Sequence, residues 1–234
     1  MFLLKIGIIG GGAAGMAAAL AASEYENAQV VLMERQARLG KKLSATGNGR
    51  CNLSNIHAAE GGYHGDDRHF HEYALNQYPP SETLQWFSGL GLYTVTEPSG
   101  KVYPYSDQAN SVVDVLRFSL ERPNIQVLTD FEVQKVKKDG AVFSVSTRSE
   151  TLEFDRLIIA CGGLAGTKLG GTMSGYKLLR SFGHKCTKLR PTLVQVKTSW
   201  PGVSALKGVR ANCKAVIYQN GKPHRGSEGE IQFT

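Results

Sequence analysis

Residues 5–15 read KIGIIGGGAAG, and this stretch decides the fold. Its first six residues are the short apolar run expected of a buried strand, and the alanine-rich residues 13–24 are predicted to follow as a helix. A second apolar run, QVVLME at residues 29–34, predicts another buried strand. Strand, helix and parallel strand in succession form a βαβ unit, so the sequence predicts an α/β fold with a parallel central sheet.

The glycines of this stretch have the spacing of a dinucleotide-binding turn, Gly10-x-Gly12-x-x-Gly15. Gly10 permits the tight turn, Gly12 lets a pyrophosphate approach the backbone, and Gly15 lets the helix pack closely on the sheet. The N–H groups of the first helical turn, which begins at Ala13 and Ala14, are expected to face the phosphates at the positive end of the helix dipole.

Glu34 ends the second strand, where a carboxylate accepts hydrogen bonds from ribose hydroxyls. The same carboxylate repels a 2′-phosphate, so FAD or NAD is favoured over NADP at this site. Because strand, glycine turn, helix and acidic residue all agree, a Rossmann-like domain that binds no nucleotide is the weaker interpretation.

The chain after Glu34 is predicted to continue as mixed α/β structure. Residues 35–65, rich in Gly, Asn and Ser, are expected to form a long loop. The apolar run at 156–160 is typical of a central parallel strand. Further strands are predicted within 92–105 and at 125–129, 131–137, 141–147 and 152–154, and helices at 68–77, 81–88 (with Ser81 as N-cap), from Ser106 or Asp107 to about Glu121, and up to about Phe182.

Composition and cysteine usage narrow the class of protein. The 234 residues are 41% hydrophobic, which argues against wholesale disorder. The four cysteines form no CxxC pair, so neither a disulfide scaffold nor a zinc ribbon is expected. We expect reduced thiols in a cytoplasmic protein instead.

The sequence also argues against a membrane span and a metal site. Glycines interrupt the uncharged residues 6–22, so this stretch is not predicted to cross a membrane. No metal site is expected either, because the histidines fit a loop or helix surface: His57, His64, His69 and His71.

The basic charge is confined to one end of the chain. Of the formal net charge of +7, residues 1–183 contribute nothing, because they hold equal numbers of acidic and basic residues. Residues 184–234 hold nine basic and two acidic residues. Since the basic residues are spaced out, a solvated face is the favoured interpretation and a nucleic-acid partner is not expected.

Residues 40–52, GKKLSATGNGRCN, distinguish FAD from NAD. They resemble the G-(K/R)-K-L-x-x-(S/T)-G-x-G-R-C-N signature of a bacterial flavoprotein family, the aminoacetone oxidase-like or BaiN-like NAD(P)/FAD-dependent oxidoreductases of the glutathione-reductase-type FAD superfamily. Residues 155–163, DRLIIACGG, are similar to the family's second flavin-contacting strand. Supporting matches lie at 101–106, 174–176, 183–184, 189–194 and 229–234.

The resemblance implies an FAD site with assigned roles. In the superfamily a strand residue contacts adenine through its backbone, and Val133 is the candidate for that contact. Beside the resemblance, the chemistry of the side chains themselves predicts that Arg35 stacks on adenine and that Arg50 holds the loop on the phosphate side. Cys161, in place of the family's usual threonine, is expected to pack against the flavin. No acid–base or nucleophilic triad is visible, so no catalytic residue is assigned. The predicted FAD-binding residues are Gly10, Gly12, Ala13, Ala14, Gly15, Glu34, Arg35, Lys42, Gly47, Asn48, Gly49, Arg50, Cys51, Asn52, Val133, Ala160, Gly162 and Gly163.

The resemblance also implies a domain organisation. Residues 1–188 are expected to form a Rossmann-like FAD-binding domain with a parallel central sheet and a β-meander. Residues 189–234 are expected to begin an inserted β-rich second domain. The chain is shorter than the family's usual length, so we expect it to be truncated at its C-terminus and to hold FAD weakly.

The predicted function is an FAD-dependent oxidoreductase, or its cofactor-binding portion, acting on a small-molecule substrate. Electrons are expected to pass from an organic donor or NAD(P)H through the flavin to an acceptor. Two alternatives stay open. One is an NAD-binding dehydrogenase domain, which leaves residues 40–52 without a role. The other is a non-catalytic remnant or binding module that uses the basic C-terminal segment on RNA.

Overall fold

The computed structural model describes residues 3–63, 65–191 and 195–233. Among the predicted features, His64 and parts of the markers at 189–194 and 229–234 lie outside these residues. In chain order the strands and helices are β1 (Leu4–Ile9), α1 (Ala13–Ser23), β2 (Ala28–Met33), β3 (Ser54–Asn55), α2 (Glu72–Gln77), α3 (Pro80–Gly89), β4 (Thr94–Thr96), β5 (Lys101–Pro104), α4 (Ala109–Ser119), β6 (Ile125–Leu128), β7 (Lys135–Asp139), β8 (Val142–Ser146), β9 (Thr151–Phe154), β10 (Arg156–Ile159), α5 (Ser174–Ser181), β11 (Arg210–Gln219) and β12 (Lys222–Gln232).

The central element is a parallel sheet with the strand order β10-β1-β2-β6. In its register Ile8 of β1 lies between Leu32 of β2 and Ile158 of β10. Two antiparallel sheets accompany it, β3-β5-β4 and the meander β7-β8-β9. The predicted α/β fold with a parallel central sheet and a β-meander is therefore confirmed.

Alternating side chains of β1 and β2 supply two hydrophobic cores, one on each face of the central sheet. On one face Ile8 and Leu32 are fully buried against helices α1 and α4, which contribute Met16 and Leu116. On the other face Ile9, Val31 and Met33 pack with Phe131, with residues of the meander and with Leu178 of α5; the meander residues are Val136, Val145 and Phe154. Because both faces are covered, the strands are apolar throughout, as the sequence pattern indicated.

The structure corrects the predicted central position of the strand at 156–160. Within the described residues β10 pairs only with β1, and it therefore forms an edge of the sheet. Its side chains alternate between exposed and half-buried, and Ile158 is 37% exposed. An apolar run reports burial on both faces of a strand, whereas an edge position depends on which strands pair, so the pattern could not distinguish the two.

Several element boundaries also differ from the prediction. Residues 35–65 include a 3-10 helical segment, Leu43–Gly49, with a kink at Thr46 to Asn48, and the short strand β3. Helix α3 begins at Pro80 without a side-chain cap from Ser81, because proline is pre-organised for the first helical position. Helix α2 covers only Glu72–Gln77 and is therefore shorter than the helix predicted at residues 68–77.

Two further differences bear on the site. Helix α4 begins at Ala109, and Asp107 does not cap it but has a positive φ of 56°. Residues 131–134 do not pair as a strand, since β7 begins only at Lys135. Instead the Phe131 N–H donates to the Glu34 carbonyl, which places this segment beside the end of β2.

The chain divides into two compact units, Met1–Lys188 and Leu189–Thr234. The second unit contains a 3-10 helix, Pro201–Leu206, and the antiparallel ribbon of β11 and β12. Ion pairs join the two strands of the ribbon, at 3.2 Å between Arg210 and Glu230 and at 3.3 Å between Lys214 and Glu228. In the described part of the chain no helix is long and apolar enough to cross a membrane.

Candidate cofactor site

A cavity of about 260 Å³ lies at the carboxyl ends of β1 and β2, beside the N-terminus of α1. The carboxyl edge of a parallel sheet is the usual ligand position in α/β folds. The predicted residues that line the cavity are Gly10, Gly12, Ala13, Ala14, Glu34, Arg35, Lys42, Val133, Ala160 and Gly162. Tertiary structure thus gathers segments that lie more than a hundred residues apart in sequence.

The glycine turn is packed tightly on one side and open on the other. A Cβ added at Gly15 would lie 1.8 Å from the carbonyl oxygen of Gly10, so only glycine lets the helix sit this close to the turn. A Cβ added at Gly12 would meet nothing within 4 Å, although Gly12 lines the cavity. The turn therefore leaves space beside the backbone at the position where the motif places a pyrophosphate.

The N-terminus of α1 offers unpaired donors to this space. Gly12 is the N-cap and has no side chain with which to cap the helix. The first intrahelical bond runs from the Met16 N–H to the Gly12 carbonyl, at 2.9 Å, so the N–H groups of Ala13 and Ala14 precede the helical ladder. Donors of this kind, at the positive end of the dipole, form an anion-binding site.

The carboxylate of Glu34 lies at the end of β2 and is already bonded to the backbone. One oxygen accepts from the Gly11 N–H at 2.7 Å and the other from the Gln36 N–H at 2.9 Å. These bonds fix the orientation of the carboxylate and leave lone pairs free on both oxygens for ribose hydroxyls. Its negative charge disfavours a phosphate at the same place.

Two basic side chains connect this wall to the glycine-rich segment at 162–171. Arg35 donates from Nη2 to the Gly170 carbonyl at 2.8 Å, and Lys42 Nζ lies 3.4 Å from the Gly163 carbonyl oxygen. Gly163 does not line the cavity itself but is held at its margin by this contact. The stacking of Arg35 on adenine stays a prediction. In this structure the Arg35 guanidinium is bonded to Gly170, on the other side of the cavity from β2.

Cys161 lies at the end of β10 and lines the cavity. Its Sγ is 3.5 Å from the Ile9 carbonyl oxygen. Burial, and secondarily the charge of Glu34, raises the pKa of the thiol to about 11. The thiol is therefore protonated at neutral pH and does not have the lowered pKa of a reactive cysteine.

The other predicted residues do not line the cavity. Gly15 packs beneath the turn, against Gly10. Residues 47–52 do not line the cavity, although Lys42 and Thr46 just before them do. The Arg50 side chain bonds to Glu97 and Asp107 instead. Cys161, which was expected to pack against the flavin, does line the cavity. The sequence analysis missed the remaining lining residues: Ile9, Gly11, Met33, Gln36, Arg38, Gly40, Lys41, Leu43, Thr46, Phe131, Glu132, Leu169, Gly170, Ser174 and Leu178. Of these residues, only those next to the glycine turn or within the 40–52 segment could have been suspected from the sequence.

Of the four histidines considered above, the three that the structure describes each have a different partner. Nδ1 of His57 lies 2.7 Å from Glu60, and Nδ1 of His69 lies 2.5 Å from Glu72, which raises the pKa of His69. His71 stacks on Tyr63 with ring centroids 3.6 Å apart. Among the described residues no group of three or more histidine, cysteine or acidic side chains comes together as a metal site would require.

Comparison with known proteins places residues 4–229 in the family model described as HI0933-like protein Rossmann domain. The 3-dehydro-bile acid delta(4,6)-reductase of Clostridium scindens is 40% identical over 98% of this chain and 56% of its own length. Ribosomal RNA dihydrouridine synthases are 30% identical in Escherichia coli, over 80% of this chain and 46% of theirs, and 26% identical in Haemophilus influenzae, over 95% and 58%. The chain spans about half the length of these curated relatives.

Proposed function

The chain belongs to the HI0933-like protein Rossmann domain family, and from that membership we propose that its cavity binds FAD. The observation that carries the proposal is the meeting of four segments around one cavity: the glycine turn, Glu34, the strip at 131–133 and the end of β10. The first two suit any dinucleotide. The last two extend the site beyond the βαβ unit, which the alternative of a plain NAD-binding domain leaves without a role.

The residues present fit the parts of FAD by their chemistry. The open space at Gly12 and the free N–H groups at the start of α1 suit the pyrophosphate. The carboxylate of Glu34 suits the adenosine ribose, and the backbone of Val133 is our candidate for the adenine contact. Lys42 is positioned to neutralise phosphate charge. When bound, FAD would supply hydride transfer, for which proteins use a cofactor.

The names of the relatives point to one reaction class. A 3-dehydro-bile acid with double bonds at the 4,6 positions carries them in conjugation with its ketone, and dihydrouridine forms by saturating a ring double bond conjugated with a carbonyl. We propose that this protein likewise catalyses reduction of a carbon–carbon double bond conjugated with a carbonyl. In such a reaction NAD(P)H would be the reductant, and bound flavin would supply the hydride chemistry. The carbon farther from the carbonyl would gain the hydride, the adjacent carbon would gain a proton from solvent, and NAD(P)⁺ would be released.

A small-molecule enone is the first candidate substrate, because the bile-acid reductase matches 98% of this chain at 40% identity. A uridine in RNA is the second candidate. Two relatives are named for that reaction, and the whole net charge of +7 resides in residues 184–234. The expectation that nucleic acid is not a partner therefore stays a prediction, as do the cytoplasmic location and the interpretation of residues 189–234 as the beginning of an inserted domain.

The first experiment is the visible absorption spectrum of the protein after incubation with FAD and desalting. A retained flavin spectrum supports the cofactor proposal. A protein that retains no flavin after desalting and also leaves flavin fluorescence unchanged in an equilibrium titration with FAD refutes the proposal and favours the non-catalytic remnant. Binding of NAD but not of FAD, measured by titration calorimetry, favours the dehydrogenase alternative.

The second experiment measures anaerobic NADH and NADPH oxidation by the FAD-loaded protein. The substrates are a steroid enone, the corresponding saturated ketone as a matched control, and unmodified ribosomal RNA assayed for dihydrouridine. Oxidation with the enone and not with the saturated ketone supports the first candidate, and dihydrouridine formation supports the second. A flavin-loaded protein that reduces neither substrate contradicts the proposed reaction class.

A further inference from the structure

Arg50 has three partners, and none of them belongs to the cavity. Its Nη2 donates to Glu97 Oε1 at 2.8 Å, and its Nε donates to Asp107 Oδ1. Its guanidinium carbon lies 3.9 Å from the ring centroid of Tyr103, so the planar cation also stacks on an aromatic face. The two carboxylates raise the pKa of Arg50 above its ordinary value, which keeps the charge permanent.

These partners belong to three separate parts of the fold. Glu97 lies in the turn between β4 and β5, Tyr103 is on β5, and Asp107 lies in the turn before α4. The side chain of Arg50 is 37% exposed, so each ion pair alone contributes little. Two charge-assisted bonds and a stacked ring that converge on one guanidinium act together, and Lys could not reproduce their planar geometry.

The loop that carries Arg50 needs such support. Gly47, Asn48, Gly49 and Cys51 all have positive φ, at 56°, 57°, 86° and 61°. For Asn48 and Cys51 this conformation is unfavourable and persists only where the surroundings hold it. Two backbone bonds close the loop: the Cys51 N–H donates to the Thr46 carbonyl at 3.0 Å, and the Arg50 N–H to the Gly47 carbonyl at 3.2 Å.

The loop is joined directly to the wall of the cavity. Thr46, which accepts the Cys51 N–H, lines the cavity together with Lys42 and Leu43. The hydroxyl of Thr46 in turn donates to the Leu43 carbonyl at 2.7 Å. A displacement of residues 47–51 would therefore move the wall that faces the cofactor.

We propose that Arg50 is a positioning residue, which clamps residues 46–52 onto Glu97, Tyr103 and Asp107 and so pre-organises the Lys42 to Thr46 wall for the cofactor. This role presupposes that the cavity binds FAD, as proposed above. It differs from a direct contact between Arg50 and the cofactor, in which the guanidinium would have to leave its carboxylate partners on binding.

Neutralising the partners distinguishes the two roles, because they predict opposite signs. If Arg50 is a clamp, Asp107→Asn and Glu97→Gln loosen the loop and raise the FAD dissociation constant, each by about threefold to tenfold. If Arg50 contacts FAD directly, the same substitutions free the guanidinium and leave the constant unchanged or lower it. Arg50→Gln is expected to raise it at least about tenfold, and Arg50→Lys to recover only part of that loss.

The reactivity of Cys51 provides a readout that needs no flavin. The thiol is 2% exposed, its pKa is raised by burial, and it directly follows Arg50 in the chain. We expect Arg50→Gln to increase its alkylation rate at least about tenfold, measured peptide by peptide by mass spectrometry. Cys161 serves as the internal control, because global unfolding would expose both thiols and release of the loop would expose Cys51 alone.

Arg117→Gln is the matched control variant, since Arg117 forms a half-exposed ion pair with Asp114 on α4 and does not line the cavity. It is expected to change neither FAD affinity nor Cys51 reactivity. Unchanged FAD affinity and unchanged Cys51 alkylation in Arg50→Gln would overturn the clamp, as would unchanged or tighter FAD binding in both Asp107→Asn and Glu97→Gln. A wild-type protein that binds no FAD refutes the proposed function and the clamp's role in binding, whereas Cys51 alkylation still reports whether Arg50 holds the loop.

Discussion

Replacing Gly12 with alanine should separate cofactor binding from folding. Gly12 has φ of −82° and ψ of −172°, an extended conformation that alanine adopts without strain. The added methyl group meets no atom within 4 Å, so nothing in the fold has to move to admit it. The methyl group would instead occupy the space that lets a pyrophosphate approach the backbone.

The structure sets the expected magnitudes. Alanine restricts the unfolded chain and thereby stabilises by about 0.4–1 kcal/mol. Alanine is also a poorer N-cap than glycine, which costs about 0.5–1 kcal/mol and offsets that gain. The free energy of unfolding should therefore change by less than about 0.5 kcal/mol. A phosphate held away from the helix N-terminus loses at least one charge-assisted hydrogen bond worth about 1.5–3 kcal/mol. The FAD dissociation constant should accordingly rise about tenfold to a hundredfold.

The assay is an FAD titration followed by flavin fluorescence, together with urea denaturation of the same samples. Gly89→Ala is the matched control, because a methyl group there also meets nothing within 4 Å and the residue does not line the cavity. It should leave FAD affinity unchanged. A folded Gly12→Ala protein with wild-type affinity for FAD would refute the placement of the pyrophosphate at this turn.

The remaining predictions concern Gly15 and Cys161. Gly15→Ala places a methyl group 1.8 Å from the backbone oxygen of Gly10, so we expect a loss of about 2–3 kcal/mol in urea denaturation as well as loss of FAD binding; near-native stability would show that the turn can yield. Because burial raises the pKa of Cys161 from 9.0 to about 11, the folded state keeps a proton that the unfolded state releases in this range, so stability should fall by up to about 2 kcal/mol as pH rises from 9 to 11. Denaturation curves of wild type and Cys161→Ala across that range check this, and identical pH dependence in the two proteins would contradict it.

The sequence by itself determined the βαβ unit and the part of the site inside it. Strand, glycine turn, helix and Glu34 lie within residues 5–34, and their positions follow from local geometry: an apolar run, a turn that only glycine permits, and the first turn of a helix. Because these contacts join residues that are close together in the chain, the succession of strand, glycine turn, helix and Glu34 was sufficient to predict the fold class and the wall of the cavity that the glycine turn and Glu34 form.

Tertiary structure alone decided which distant residues meet, both at the cavity and outside it. Gly170 meets Arg35 across 135 residues, and Arg50 meets Glu97 and Asp107 across 47 and 57. Neither pairing has a signature in the sequence, because a carbonyl acceptor or an exposed carboxylate occurs in every protein and acquires a partner only once the chain has folded. The edge position of β10 has the same origin, since strand order is a property of the assembled sheet and not of any strand within it.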